Sequence, residues 1–155
     1  MSLDIFYFNF ETDFIEDNIR CIPMVVRFKL DIVRIKLKLS EWVKFSNPER
    51  LALAQMPCEK ERDIEAYHDF LSSIITNHTK QNATFLIDEK LDLTWKNLDE
   101  IPIPIKQNAM SHQCKISIPQ WRQLADIERF ALVKLSTSSH ESHNFIHAIQ
   151  EFNLI

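Results

Sequence analysis

Three histidines in "SHESHNFIHAI", namely His140, His143 and His147, stand at positions i, i+3 and i+7. On a helix that spacing lines them along one stripe, where neutral imidazoles can ligate zinc, copper or nickel. Phe145, Ile149 and Phe152 fall on the opposite side of the same helix. The histidines are therefore expected to face solvent with no acidic residues behind them; they are candidate ligands, and no metal is assigned. His112-x-Cys114 lacks further ligands at metal-site spacing. Cys58 follows Pro57 at a predicted helix start, a place where a thiol can be activated. No nucleophile stands with a base. A non-enzymatic protein without a cofactor is expected.

Composition excludes further chemistry. The 155 residues contain no glycine, and phosphate-cradling loops and dinucleotide fingerprints need glycine for tight turns and close backbone approach. Two-residue Asn-Gly or Asp-Gly hairpins are excluded as well, which favours helices. No apolar run reaches the roughly 18–20 residues of a membrane span, so no membrane partner is expected. The opening "MSLDIFYFNFETDFIED" is acidic and unlike a secretory signal. Cys21, Cys58 and Cys114 are an odd, widely spaced set, as in a reducing cytoplasm. A cytoplasmic location follows as the expectation.

Charge is polarised. Residues 1–19 hold five acids and no base, whereas residues 20–50 hold eight Lys/Arg against three acids. Such a basic face can steer an acidic protein partner, unless the acidic arm folds back over it. The net charge of −4 argues against a nucleic acid. Arg27, Lys29, Arg34, Trp42 and Arg50 are the candidate contact residues. Reversing charge at Arg27, Lys29 and Arg34 would then abolish co-purification with the partner.

The elements that position these residues are written twice. "SEWVKFSNPERLALAQM" at 40–56 and "PQWRQLADIERFALVKL" at 119–135 share a phrase, and an offset of 79 residues aligns them without a gap. Eight of the 33 positions 22–54 are identical to their counterparts, where about two would match by chance. Pro23, Trp42 and Arg50 fall on Pro102, Trp121 and Arg129, and these six are read as structural anchors. The alternative makes a Trp/Arg pair a binding hot spot.

Each copy reads as a helical unit. Val25, Phe28, Ile32 and Ile35 form one stripe and Val26, Leu30 and Val33 another, so the helix after Pro23 should be mostly buried. Ser40 is a predicted N-cap for the turn carrying Trp42, and Asn47 and Asp126 for the helices that follow. Ile64, Tyr67, Leu71 and Ile74 predict a further helix, "LIDEKLDLTWKNL" another, and Ser138-x-x-Glu141 a capping box ahead of Phe145. "IFYFNF" is expected to be extended or a short strand. The resulting fold class is all-α: two related three-helix units packed around one core, with a short extended N-terminal segment. A single domain 1–155 is expected, with repeat units at about 20–58 and 101–137, linking helices over 59–100 and a C-terminal helix at 138–153.

"NIRCIPMVVRFKLDIVRIKLKLSEWVKFSNPERLALAQMPCE", "DEIPIPIKQNAM" and "PQWRQLADIERFALVKLS" resemble the nitrate reductase-associated proteins of bacteria, over roughly residues 6–137. These proteins often carry glycine before the "IKL" stretch, where Arg34 stands here. The resemblance implies an accessory protein partnered with assimilatory nitrate reductase or its maturation machinery. Its role would be to support maturation, cofactor loading or activity, and it brings no catalytic residue. Metal or cofactor handling through the histidine-rich helix, and DNA-binding regulation, are the alternatives.

Overall fold

A computed structural model describes residues 5–139 and 141–155. They fall into two compact units divided between Leu91 and Asp92. The first contains α1 (Thr12–Glu16), α2 (Met24–Val33), β1 (Ile35–Lys36), α3 (Leu39–Trp42), α4 (Asn47–Gln55), α5 (Glu61–Thr79) and β2 (Thr84–Phe85). The second contains α6 (Ile103–Ser111), α7 (Ile118–Gln123), α8 (Asp126–Thr137) and α9 (Asn144–Glu151). The chain is mostly helical. The two-residue strands pair antiparallel, Ile35 opposite Phe85 and Lys36 opposite Thr84, a sheet that the all-α expectation did not include.

In the first unit α2 packs on α4 and α5. No residue of α2 is exposed, and Val26, Leu30 and Val33 are its buried stripe, with Val25, Phe28 and Ile32 half-buried. Ile15, Trp42, Leu53, Tyr67, Leu71 and Ile75 complete the core. The Ile5–Phe8 segment is extended without pairing as a strand, and of Phe6, Phe8 and Phe10 only Phe8 is buried. In the second unit α8 packs on α6, on α9 and on the 3₁₀ turn Thr94–Lys96. Residues Arg129 to Val133 of α8 are all buried, the pattern of a helix covered on every side.

The helix starts keep the 79-residue spacing: Met24 and Ile103, Leu39 and Ile118, Asn47 and Asp126. The caps sit earlier than the sequence suggests. Pro23 is the N-cap of α2, its carbonyl accepting from Val26 and Arg27. Lys38 rather than Ser40 caps α3. Ser46 rather than Asn47 caps α4: its hydroxyl accepts from Glu49 N–H, and the Glu49 carboxylate accepts from Ser46 N–H at 2.8 Å. Ala125 rather than Asp126 precedes α8, because the Asp126 carboxylate is taken by Arg129.

Two further expectations fail. "LIDEKLDLTWKNL" is not a helix but two separate 3₁₀ turns, Asp88–Lys90 and Thr94–Lys96. Asp92 accepts from the Thr94 backbone N–H and hydroxyl, a local bond that competes with helix formation. The predicted capping box at Ser138 does not start α9. Ser138 closes α8 instead, and α9 begins at Asn144 with His143 as a cap that makes no side-chain bond. Helix ends in this glycine-free chain use other residues in the left-handed region: Arg34 (φ 58°) closes α2 and Lys80 (φ 59°) closes α5.

Because the hydroxyl of Ser46, and not the side chain of Asn47, satisfies the α4 N-terminus, Ser46→Ala should cost about 1 kcal/mol in chemical denaturation. Asn47→Ala should cost less than half of that.

Candidate partner-binding surface

Trp42 has no accessible surface, and its indole N–H donates to the Ile19 carbonyl at 2.9 Å. Arg50 lies over the Trp42 ring and donates to three carbonyls, those of Asn18 (2.9 Å), Val43 (3.1 Å) and Trp42 (3.3 Å). Two of these carbonyls end α3, where a cation is favoured by the helix dipole. The other carbonyls belong to a loop in which Asn18 and Ile19 both have positive φ, a conformation that a β-branched residue rarely adopts. The indole and the guanidinium hold that loop in place.

The second unit uses the same residue types on a different set of acceptors. Trp121 donates to the Asn97 carbonyl at 2.8 Å. Arg129, only 5 % exposed, donates to the carbonyls of Trp95 and Leu124 and to the Asp126 carboxylate. Pro102 precedes α6 as Pro23 precedes α2. All six anchor residues thus bond or pack inside their own unit, and no partner reaches Trp42 without opening the first unit.

Lys29 is also turned inward. Its ammonium donates to the carbonyls of Ala54 (2.8 Å) and Met56 (2.6 Å) at the end of α4, while the Tyr67 hydroxyl donates to Leu53. Burial pulls the Lys29 pKa below the usual lysine value, and the nearby Cys58 works against that shift. Burial pushes the Cys58 thiol up to about 11, Lys29 opposing and Asp63 adding to the rise. Cys58 lies ahead of α5, whose N-cap is Lys60, and so is not at the helix start that its place after Pro57 predicts. Arg34 is exposed and paired with Asp88 at 2.7 Å, and Arg27 is half-buried on α2.

What the first unit does present is a patch around α3. Leu39 and Val43, one turn apart on the same face, are each 54 % exposed. Lys36, Lys38 and Lys44 flank them in the chain, all exposed, and none is ion-paired among the described residues. Among the described residues no acid of the N-terminal arm ion-pairs with them; its buried carboxylate, Glu11, accepts from the Phe8 and Met24 backbone N–H groups. Sequence reasoning noted the lysines only as part of a charge total. The signal available was Leu39 and Val43 at i,i+4 with a lysine on each flank.

His140 lies outside the described residues. His143 and His147 are exposed, and among the described residues no three His, Cys, Asp or Glu side chains converge in a way that could hold a metal ion. Also among the described residues, no helix is long and apolar enough to cross a membrane.

A family model described as conserved nitrate reductase-associated protein matches residues 7–152. The chain belongs to that family. The match spans both units and supports an accessory role associated with nitrate reductase. No curated protein matches the chain, and no solved structure does.

The Glu49 carboxylate also meets His78 Nε2 at 2.8 Å, joining the start of α4 to the end of α5. Burial alone would raise its pKa. The bonds from Ser46 and His78 outweigh burial and hold the carboxyl below its ordinary 4.5. A depressed carboxyl stabilises the fold above the unfolded value and loses that contribution as pH falls through the folded one. The stability gap between wild type and Glu49→Gln should therefore narrow steadily as pH falls below about 4.5, by urea denaturation.

Proposed function

We propose that this family member is a non-enzymatic, cytoplasmic accessory protein that binds nitrate reductase or its maturation machinery and supports maturation, cofactor loading or activity. The family match carries this reading. The chemistry of the described residues agrees with it: the two most buried thiols, Cys58 and Cys114, are both raised by burial, away from nucleophilic use.

The contact surface in this reading is Lys36, Lys38, Leu39, Val43 and Lys44. It replaces the set Arg27, Lys29, Arg34, Trp42 and Arg50 as the first choice. Lys29, Trp42 and Arg50 are occupied inside the unit, and Arg34 has its own acid. An apolar centre with a cationic rim suits a partner surface of exposed acids around an apolar side chain, with the charges raising the association rate.

The shared spacing of three helix starts supports a second proposal, that α2–α4 and α6–α8 descend from one duplicated unit. In this view Trp, Glu-Arg and Ala-Leu recur because each copy needs them to hold its own helices together.

A tagged chain should co-purify nitrate reductase from host cells grown on nitrate. The triple variant Lys36→Glu, Lys38→Glu, Lys44→Glu should reduce recovery at least about tenfold without loss of fold. Undiminished recovery would remove this surface from the account.

A further inference from the structure

The two units differ at one corresponding place, and the difference leaves an unfilled edge. In the first unit α2 ends at Arg34 (φ 58°), and the chain then runs extended through Ile35 and Lys36. Residues from further along the unit cover this segment: Thr84 and Phe85 pair with it, and Leu86 N–H donates to the Arg34 carbonyl at 2.9 Å. In the second unit Gln113 (φ 59°) stands in the place of Arg34, and Cys114, Lys115 and Ile116 follow. Cys114 points in, Lys115 out and Ile116 in, the alternation of a strand and the same as Ile35 in and Lys36 out.

Among the described residues no strand pairs with this second segment, whose Cys114 thiol donates to the Leu154 carbonyl of the C-terminal tail at 3.3 Å. Among the described residues, no backbone hydrogen bond is made by Lys115 N–H, by the Lys115 carbonyl or by the Gln113 carbonyl. Beside them lies an open groove of about 490 Å³, lined by Lys106, Met110, Gln113, Cys114, Lys115 and Ile116. Met110 is 72 % exposed at its side. Neither Lys106 nor Lys115 is ion-paired among the described residues.

An unpaired backbone edge beside an apolar floor is a template for an added strand, in which main-chain bonds supply affinity and alternate side chains supply selectivity. We propose that this groove receives an extended segment of a partner protein, paired antiparallel to Gln113–Ile116 as β2 is to β1. The segment carries an apolar residue to set against Met110 and Ile116, and acids to meet Lys106 and Lys115. The inference rests on the 79-residue correspondence and on the groove, not on the α3 patch or on which protein binds there. It fails or stands separately from the nitrate reductase reading.

The test uses a synthetic peptide with the sequence of Gln81–Glu89, the segment that fills the corresponding place in the first unit and that carries Phe85, Asp88 and Glu89. The peptide is titrated into the full ¹⁵N-labelled chain. Saturable shifts of the Lys115 and Ile116 amide resonances are expected. Met110→Asp should weaken binding about tenfold, equivalent to about 1.4 kcal/mol. Lys115→Pro, which removes the N–H, should abolish it. Absence of shifts at Lys115 and Ile116 under peptide excess, or shifts confined to Ile35 and Lys36, would overturn the proposal; both readouts need only the wild-type chain. A concentration-dependent dimer that Lys115→Pro dissolves, seen by sedimentation, would also overturn it and give the groove to a second copy.

Discussion

The structure depends on how its short helices end. Helices below about 12–15 residues are marginal on their own, and here α3 has 4 residues, α7 has 6, and α4 and α6 have 9 each. The N-termini of α3, α4, α7 and the longer α8 share one solution. Glu41, Glu49, Gln120 and Glu128 each fold back from the third helical position to accept the N-cap N–H, at 2.8–2.9 Å. Carbonyls elsewhere are met by long side chains: Arg50 reaches the end of α3, Lys29 and Tyr67 reach the end of α4, and Arg129 reaches the carbonyl before α8. With no glycine in the chain, Arg34 and Lys80 take left-handed positions that glycine would fill more easily. The charges of Lys29, Arg50 and Arg129 therefore serve the backbone rather than the surface.

This is also why the sequence reads well for some features and badly for others. Periodicity revealed the buried face of α2 and the run of α5 through Tyr67, Leu71 and Ile74, because burial at helical spacing leaves a direct imprint on residue type. The helix starts were misplaced by one residue at Asn47 and Asp126, since Asn, Asp and Ser are all good caps and geometry alone decides which is used. The strand pair was invisible: two residues on each side are too few for an alternating pattern, and Thr84 and Phe85 lie far from Ile35 in the chain. The candidate contact residues suffered most. A lysine that ends a helix and a lysine that meets a partner look alike in a charge total, and only the carbonyls around Lys29 separate it from Lys36, Lys38 and Lys44.

Two surfaces of the described residues stand out after this internal use is subtracted. One is the lysine-rimmed Leu39/Val43 face of α3. The other is the open edge at Cys114–Lys115, which stands where the first unit has its own covering strand. Both combine apolar area with cations free of an acid partner among the described residues, and neither offers reactive chemistry. That combination is what the proposed accessory role would use, in keeping with a family associated with nitrate reductase.

The central claim is that this chain serves the nitrate reductase step, and the most direct test is growth after its gene is deleted from the host. A defect on nitrate as sole nitrogen source is expected, with normal growth on nitrite and on ammonium. Equal growth on all three would contradict it.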